Sequence, residues 1–340
     1  MGKGISMTNI AFLGVAHIHT PGFLASIKKR SDTTITHIWD HDAARAKLRA
    51  EETGAKAVAD FQTILGDPTV DAIVICSETD KHEDLVVPTA FAGKDVFVEK
   101  PLGYGSADAY EMAAAIEAAG VQFQTGYFMR GDPKLIFLKD QVDRGHFGKI
   151  TRVRASNCHS GALGRWFDTD WRWMADPDIA GVGAYGDLGT HVLDILIWLF
   201  GDVDKATELL NDGTHAYEGC DETGEGLLQF TSGVIGTLAA AWDDLANPVS
   251  FQISGTEGYA YILNGQLFFN SKHVEGADAQ TPWTDLPERV PAGFDAFLEA
   301  INGNEEVRLL SASEVAYRSA VMEALYDGAK GGWWATPALP

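Results

Sequence analysis

The stretch "IAFLGVAHIHTPGF", residues 10–23, decides the fold. A continuous apolar run of the kind that forms a buried strand ends at Gly14. Two histidines one residue apart follow, and then Thr-Pro-Gly opens a helical pattern. Two architectures begin this way. In a dinucleotide-binding fold the strand ends in G-x-G-x-x-G, whose turn brings backbone amides and a helix N-terminus to a pyrophosphate. In a metal-dependent barrel hydrolase, His17 and His19 would be ligands at the end of the first strand. The six fingerprint positions read Gly14-Val15-Ala16-His17-Ile18-His19, so one glycine of three stands.

The sequence beyond it favours the dinucleotide fold. Strand patterns "TTITHIWD", "TVDAIVICS", "DVFVEKP" and "VQFQTGY" alternate with helical ones as far as residue 127, which implies βαβ crossovers and a doubly wound parallel sheet. A barrel would need that alternation over about 250 residues, and here it stops halfway. From about residue 128 the rhythm changes. A helix capped by Asp132 and Pro133 leads into strand-like runs separated by Thr-Ser-Gly and Asn-Gly turns, a hairpin signal. The expected architecture is an α/β Rossmann domain over 7–127. An α+β domain with a large, mostly antiparallel sheet follows over 128–340, for substrate binding and oligomerisation.

Composition narrows the function. Residues 1–150 hold 16 Lys and Arg against 20 Asp and Glu, whereas residues 151–340 hold 10 against 28. So acidic a second half repels nucleic acid and anionic membranes, and the near-neutral first half is the better home for an anionic cofactor. No apolar run reaches the roughly 20 residues of a membrane span, and no apolar leader opens the chain. "MGKGIS" fits an N-myristoylation pattern at Gly2, but it is short and reads better as a start upstream of Met7. Cys76, Cys158 and Cys220 are scattered, as expected of a reducing cytoplasm with neither a disulfide frame nor a zinc cage.

Three features carry chemistry. Asp40 ends the second strand, where a carboxylate accepts both adenosine-ribose hydroxyls and repels a 2′-phosphate, which points to NAD over NADP. "VFVEKPLG" delivers Glu99 and Lys100 at a strand's carboxyl end, where α/β sheets place ligands, beside a proline able to adopt a cis bond. "GVGAYGDLGTHVLDILIWLFG" puts Asp187 and His191 four residues apart on one helix face, with Asp194 farther along the same stripe. A carboxylate one turn from an imidazole can fix its tautomer and raise its basicity.

The E-K-P strand end, together with Gly183, Asp187, Gly189 and His191 in the pattern G-x-x-x-D-x-G-x-H, resembles the glucose–fructose oxidoreductase and inositol dehydrogenase (Gfo/Idh/MocA) family. The likeness runs nearly the whole chain, through "SETDKHEDLVVPTAFAGKDVFVEKP", "TGYFMRGDP" and "ISGTEGYAYI". It implies hydride transfer between a secondary alcohol of a sugar, glycoside or cyclitol and NAD, with NADP as an alternative. His191 would be the general base, assisted by Asp187. Lys100 would stabilise the developing alkoxide, or act as the base itself. Cofactor contacts would come from Gly14, Ala16, His17, Ile18, Asp40, Ser77, His82, Glu99 and Lys100. In "RWFDTDWRW", Trp166 and Arg172 offer a sugar an aromatic face and a cation; with Arg130 and Asp187 they complete the expected substrate contacts. No resident metal is expected, and a homodimer or homotetramer is. A non-catalytic NAD-binding sensor is the alternative from another class, ahead of the metal hydrolase.

Overall fold

The computed structural model describes residues 7–340, so "MGKGIS" lies outside the described residues. Strands β1 (Thr8–Val15), β2 (Thr33–Trp39), β3 (Lys56–Ala57), β4 (Ala72–Cys76), β5 (Asp95–Val98) and β6 (Phe123–Thr125) form a parallel sheet ordered β3-β2-β1-β4-β5-β6. Helices α1 (Thr20–Lys28), α2 (Ala43–Thr53), α3 (Gln62–Leu65), α4 (His82–Phe91) and α5 (Ser106–Ala119) make the crossovers. Strand order reverses between β1 and β4, and a crevice for ligands opens at the carboxyl ends there. Every residue of β4 is buried, as a central parallel strand requires. The end signals of α2 work as expected: Asp42 accepts the N–H groups of Ala44 and Arg45, and Gly54 closes the helix in the left-handed region. The two-residue β3 escapes notice in the sequence because both its residues are exposed.

The second sheet is seven-stranded. Helices α6 (Pro133–Asp143), α7 (Pro177–Ala180) and α8 (Ala184–Phe200) accompany β7 (Ile150–Cys158), β8 (Val203–Asn211), β9 (Thr223–Phe230), β10 (Ile235–Ala241), β11 (Val249–Gly255), β12 (Gly258–Leu263) and β13 (Gln266–Ser271). The order is β13-β12-β11-β7-β10-β9-β8, antiparallel except where β7 meets β10. The two hairpins fall where the turn residues put them. Thr231-Ser232-Gly233 joins β9 to β10, and Asn264-Gly265, both at positive φ, joins β12 to β13. A parallel sheet followed by this mixed one is incompatible with a barrel, and the hydrolase reading falls with it.

The chain does not divide as cleanly as 7–127 and 128–340. Helix α9 (Phe294–Ile301) returns to the first sheet, where Phe294 and Phe297 pack around Phe97. The start of α10 (Ala312–Gly331) completes the core on the sheet's other face through Val315 and Ala316. Among the described residues, no helix is long and apolar enough to cross a membrane.

Candidate active site

β1 and β4 approach closely at the crevice. Gly14 has φ +81°, and a Cβ there would stand 2.5 Å from Ser77 Cβ, so the retained glycine is the one that the crossing demands. The His17 N–H donates to the Cys76 carbonyl (3.0 Å), which fixes the turn leading into α1. β5 then delivers Glu99 and Lys100, both buried, with a cis peptide bond to Pro101. The Glu99 Oε2 accepts the Lys100 backbone N–H (2.9 Å), and Glu99 Oε1 pairs with His19 Nδ1 (2.8 Å). Lys100 Nζ turns away from Glu99 altogether and reaches Asp187 Oδ1 at 2.5 Å. A strand end of the first sheet and a helix of the second domain thus meet in one ion pair.

α8 begins where it does because of Asp221. The Tyr185 N–H donates to the Asp221 carboxylate (2.8 Å), and a Cβ at Gly183 would lie 2.3 Å from that carboxylate. One turn in, Asp187 Oδ2 accepts the Trp242 indole N–H (3.1 Å). Burial works to raise the Asp187 carboxyl, but the Lys100 ammonium outweighs it and holds the group at about 2. His191 is buried, with Phe128 and Tyr127 against its ring. Its Nδ1 is closed off and unpartnered, which leaves Nε2 to face the cleft. Burial pushes this imidazole down to about 3, and the Lys100 charge acts in the same sense against the weaker pull of Asp187. The ring is neutral at physiological pH.

Titration of His191 makes acid stability a test of the site. In the unfolded chain its imidazole protonates as pH falls through about 6.5, and in the folded chain not until about 3. Between these values the unfolded state holds the extra proton, so stability is lost as pH falls through that window. The melting temperature should decline on acidification, and less steeply in His191→Leu. Equal slopes in the two proteins would contradict a buried neutral ring.

Several sequence expectations need correction. Asp187 makes no hydrogen bond to His191; its oxygens are taken by Lys100 and Trp242. Asp194 does not face the cleft. It is buried and holds Arg130 (2.5 and 2.8 Å) and Arg318 (3.1 Å), so Arg130 is committed to an internal ion pair and is not available to a substrate. Arg130→Ala should therefore lower the melting temperature and leave KM unchanged; a raised KM at unchanged stability would restore it to the substrate. Arg172 is exposed and lies over the Tyr217 ring (4.8 Å). His82 is buried, with Nδ1 on the Leu102 carbonyl (3.0 Å), where it braces the loop after Lys100. Asp40, expected to hold the adenosine ribose, is buried. Its carboxylate accepts the Val15 and Asp42 N–H groups and a two-pronged contact from Arg45 (2.7 and 2.9 Å). Trp166, 45% exposed, stacks near His159 at the open side.

Sequence reasoning missed Trp242, His159 and Arg45. Trp242 and His159 follow the adjacent strand ends of β10 and β7, an adjacency that only the sheet order creates. Trp173 donates to the Ala16 carbonyl (3.3 Å), docking the second domain on the first turn. The "RWFDTDWRW" cluster signalled it, without showing which tryptophan would be used.

The crevice suits a dinucleotide. The glycine-dependent turn at residues 14–18, the carboxylate of Asp40 at the end of β2 and the buried Glu99–Lys100 pair occupy the positions such a ligand spans. Comparison with known proteins agrees. Residues 8–127 match the model of an oxidoreductase family with an NAD-binding Rossmann fold, and residues 136–261 match the GFO/IDH/MocA C-terminal domain. A 1,5-anhydro-D-fructose reductase of Ensifer adhaerens is 26% identical over 254 residues, 74% of each chain. A myo-inositol 2-dehydrogenase of Thermotoga maritima is 28% identical over 240 residues, 67% of each. The solved structure of a levoglucosan dehydrogenase with NADH superposes with a TM-score of 0.81 at 19% identity, over 98% of this chain and 100% of that one. With both family models matched in order and the E-K-P lysine set against Asp187 and His191, the chain belongs to the Gfo/Idh/MocA family of NAD-binding oxidoreductases.

Proposed function

We propose that this oxidoreductase acts on a secondary alcohol of a sugar, glycoside or cyclitol. The carrying observation is the buried Lys100–Asp187 pair beside a neutral His191, at the carboxyl edge of a dinucleotide-binding sheet. NAD, when bound, supplies the hydride acceptor. The chain's own residues manage the proton. Lys100 Nζ, held by Asp187, donates a hydrogen bond to the reacting oxygen and stabilises negative charge as it develops. His191 Nε2 takes the hydroxyl proton. Trp166 and His159 border the mouth of the cleft, where a ring's C–H face can lie on the indole.

Gly14, Ala16, His17 and Ile18 form the turn that would cradle the pyrophosphate, and Ser77 packs against it. Asp40 braces the turn through Val15 and orients Arg45 at the rim where the adenosine ribose would lie. The homologous reductase and dehydrogenase named above support the substrate class. Family membership supports a homo-oligomer, and three unpaired cysteines suit a reducing cytoplasm. A panel of neutral sugars, cyclitols and sugar acids, scanned for nicotinamide absorbance with NAD and NADP, tests the reading. Reduction with one substrate class supports it. Tight NADH binding with silence in both reaction directions across the panel would instead favour a sensor.

A further inference from the structure

The two histidines that opened the question are not exhausted by the turn. Their nitrogens converge on Glu99 rather than on His82 or His191. His19 Nδ1 lies 2.8 Å from Glu99 Oε1, and His17 Nδ1 lies 3.6 Å from the same oxygen. The rings are edge-on to each other, 4.7 Å between centroids. His17 Nδ1 accepts the backbone N–H of His19 at 3.2 Å, a long bond whose lone pair an ion would have to take over. This nitrogen faces the carboxylate oxygen, acceptor against acceptor, in a buried position. The hydrogen bond between His19 and Glu99 relieves part of this crowding.

The spacing suits a metal ion. Three ligands at about 2.1 Å around a tetrahedral Zn²⁺ stand roughly 3.4 Å apart, and the distances of 2.8 and 3.6 Å bracket that value. All three ligand atoms lie within 4.8 Å of one another. Glu99 is anchored through its other oxygen by the Lys100 N–H, a bond of the kind that orients a ligating carboxylate. Two imidazoles and one carboxylate form the ligand set of zinc sites that keep a position open. An adjoining cavity of about 410 Å³, bordered by Ile18, His19, Phe23, Glu99, Gly126 and Phe128, gives an ion a way in and room for a fourth ligand.

We propose that His17, His19 and Glu99 bind one divalent transition-metal ion of the Zn²⁺ class, with the fourth position open to water or a substrate oxygen. Chelator-treated protein titrated calorimetrically with Zn²⁺ should take up one ion per chain. His19→Ala should weaken that binding roughly tenfold or more. The side chain of His19 is 41% exposed, but it is the hydrogen-bond partner of buried Glu99, so a melting curve and a second variant, His19→Gln, which keeps a donor there, separate lost binding from a lost fold. Co²⁺ should give the strong visible band of a four-coordinate ion in the wild type and lose it in His19→Ala. Absence of binding, equal affinity in His19→Ala, or a weak six-coordinate Co²⁺ spectrum each overturns the proposal. NADH titration of the metal-free protein reads the dinucleotide site separately, so failure of one reading is not mistaken for failure of the other.

Discussion

His191→Ala is expected to lower kcat by about 10²- to 10⁴-fold, the range a positioned general base contributes, with KM little changed. The resting imidazole is a weak base, pushed to about 3 by burial and by Lys100. That weakness fits the division of labour in the site. The ammonium that depresses the ring also stabilises the alkoxide, so the alcohol becomes more acidic as Lys100 engages it and a weak acceptor suffices. Steady-state kinetics on the variant decide the matter. If turnover survives and its pH dependence moves into the lysine range, the proton acceptor is Lys100 and His191 only shapes the cleft.

Lys100→Met should abolish turnover and also destabilise the fold, by about 3–5 kcal/mol, because Asp187 is left as an uncompensated buried charge. The loss has a direction in pH. Asp187 has its carboxyl lowered from 3.8 to about 2 by its partner, so the pair contributes stability above the unfolded value, and that contribution disappears as pH falls through the folded one. The double variant Lys100→Met/Asp187→Asn should recover much of the stability and none of the activity. Chemical denaturation and kinetics on the same preparations separate the two effects. A single variant that is inactive yet fully stable would show the pair to be open to water, not buried.

The first sheet was legible because buried parallel strands are continuous apolar runs, and the catalytic helix because its polar residues interrupt an otherwise apolar surface at helical spacing. Pairing was not legible. Lys100 stands beside Glu99 in sequence and yet reaches 87 residues on to Asp187. Arg130 looked available until Asp194 was found to hold it. Such choices depend on how two domains dock, which periodicity does not encode. The two histidines were legible as part of the first turn, but their convergence on Glu99 was not, because that residue arrives on a different strand.

The return of α9 to the first sheet has a consequence for anyone who would cut this chain. Phe294 stacks on Phe23 at 4.1 Å and meets Phe97 edge-on at 5.0 Å, so the hydrophobic interior of the first half is closed by residues from near the other end. A fragment ending at residue 127 would expose that aromatic surface to water and tend to associate through it. The halves should melt together as one cooperative unit, seen as a single transition in calorimetry. A chimera that grafts a relative's sugar-facing sheet onto this cofactor half must therefore splice twice, once before α6 and again ahead of α9.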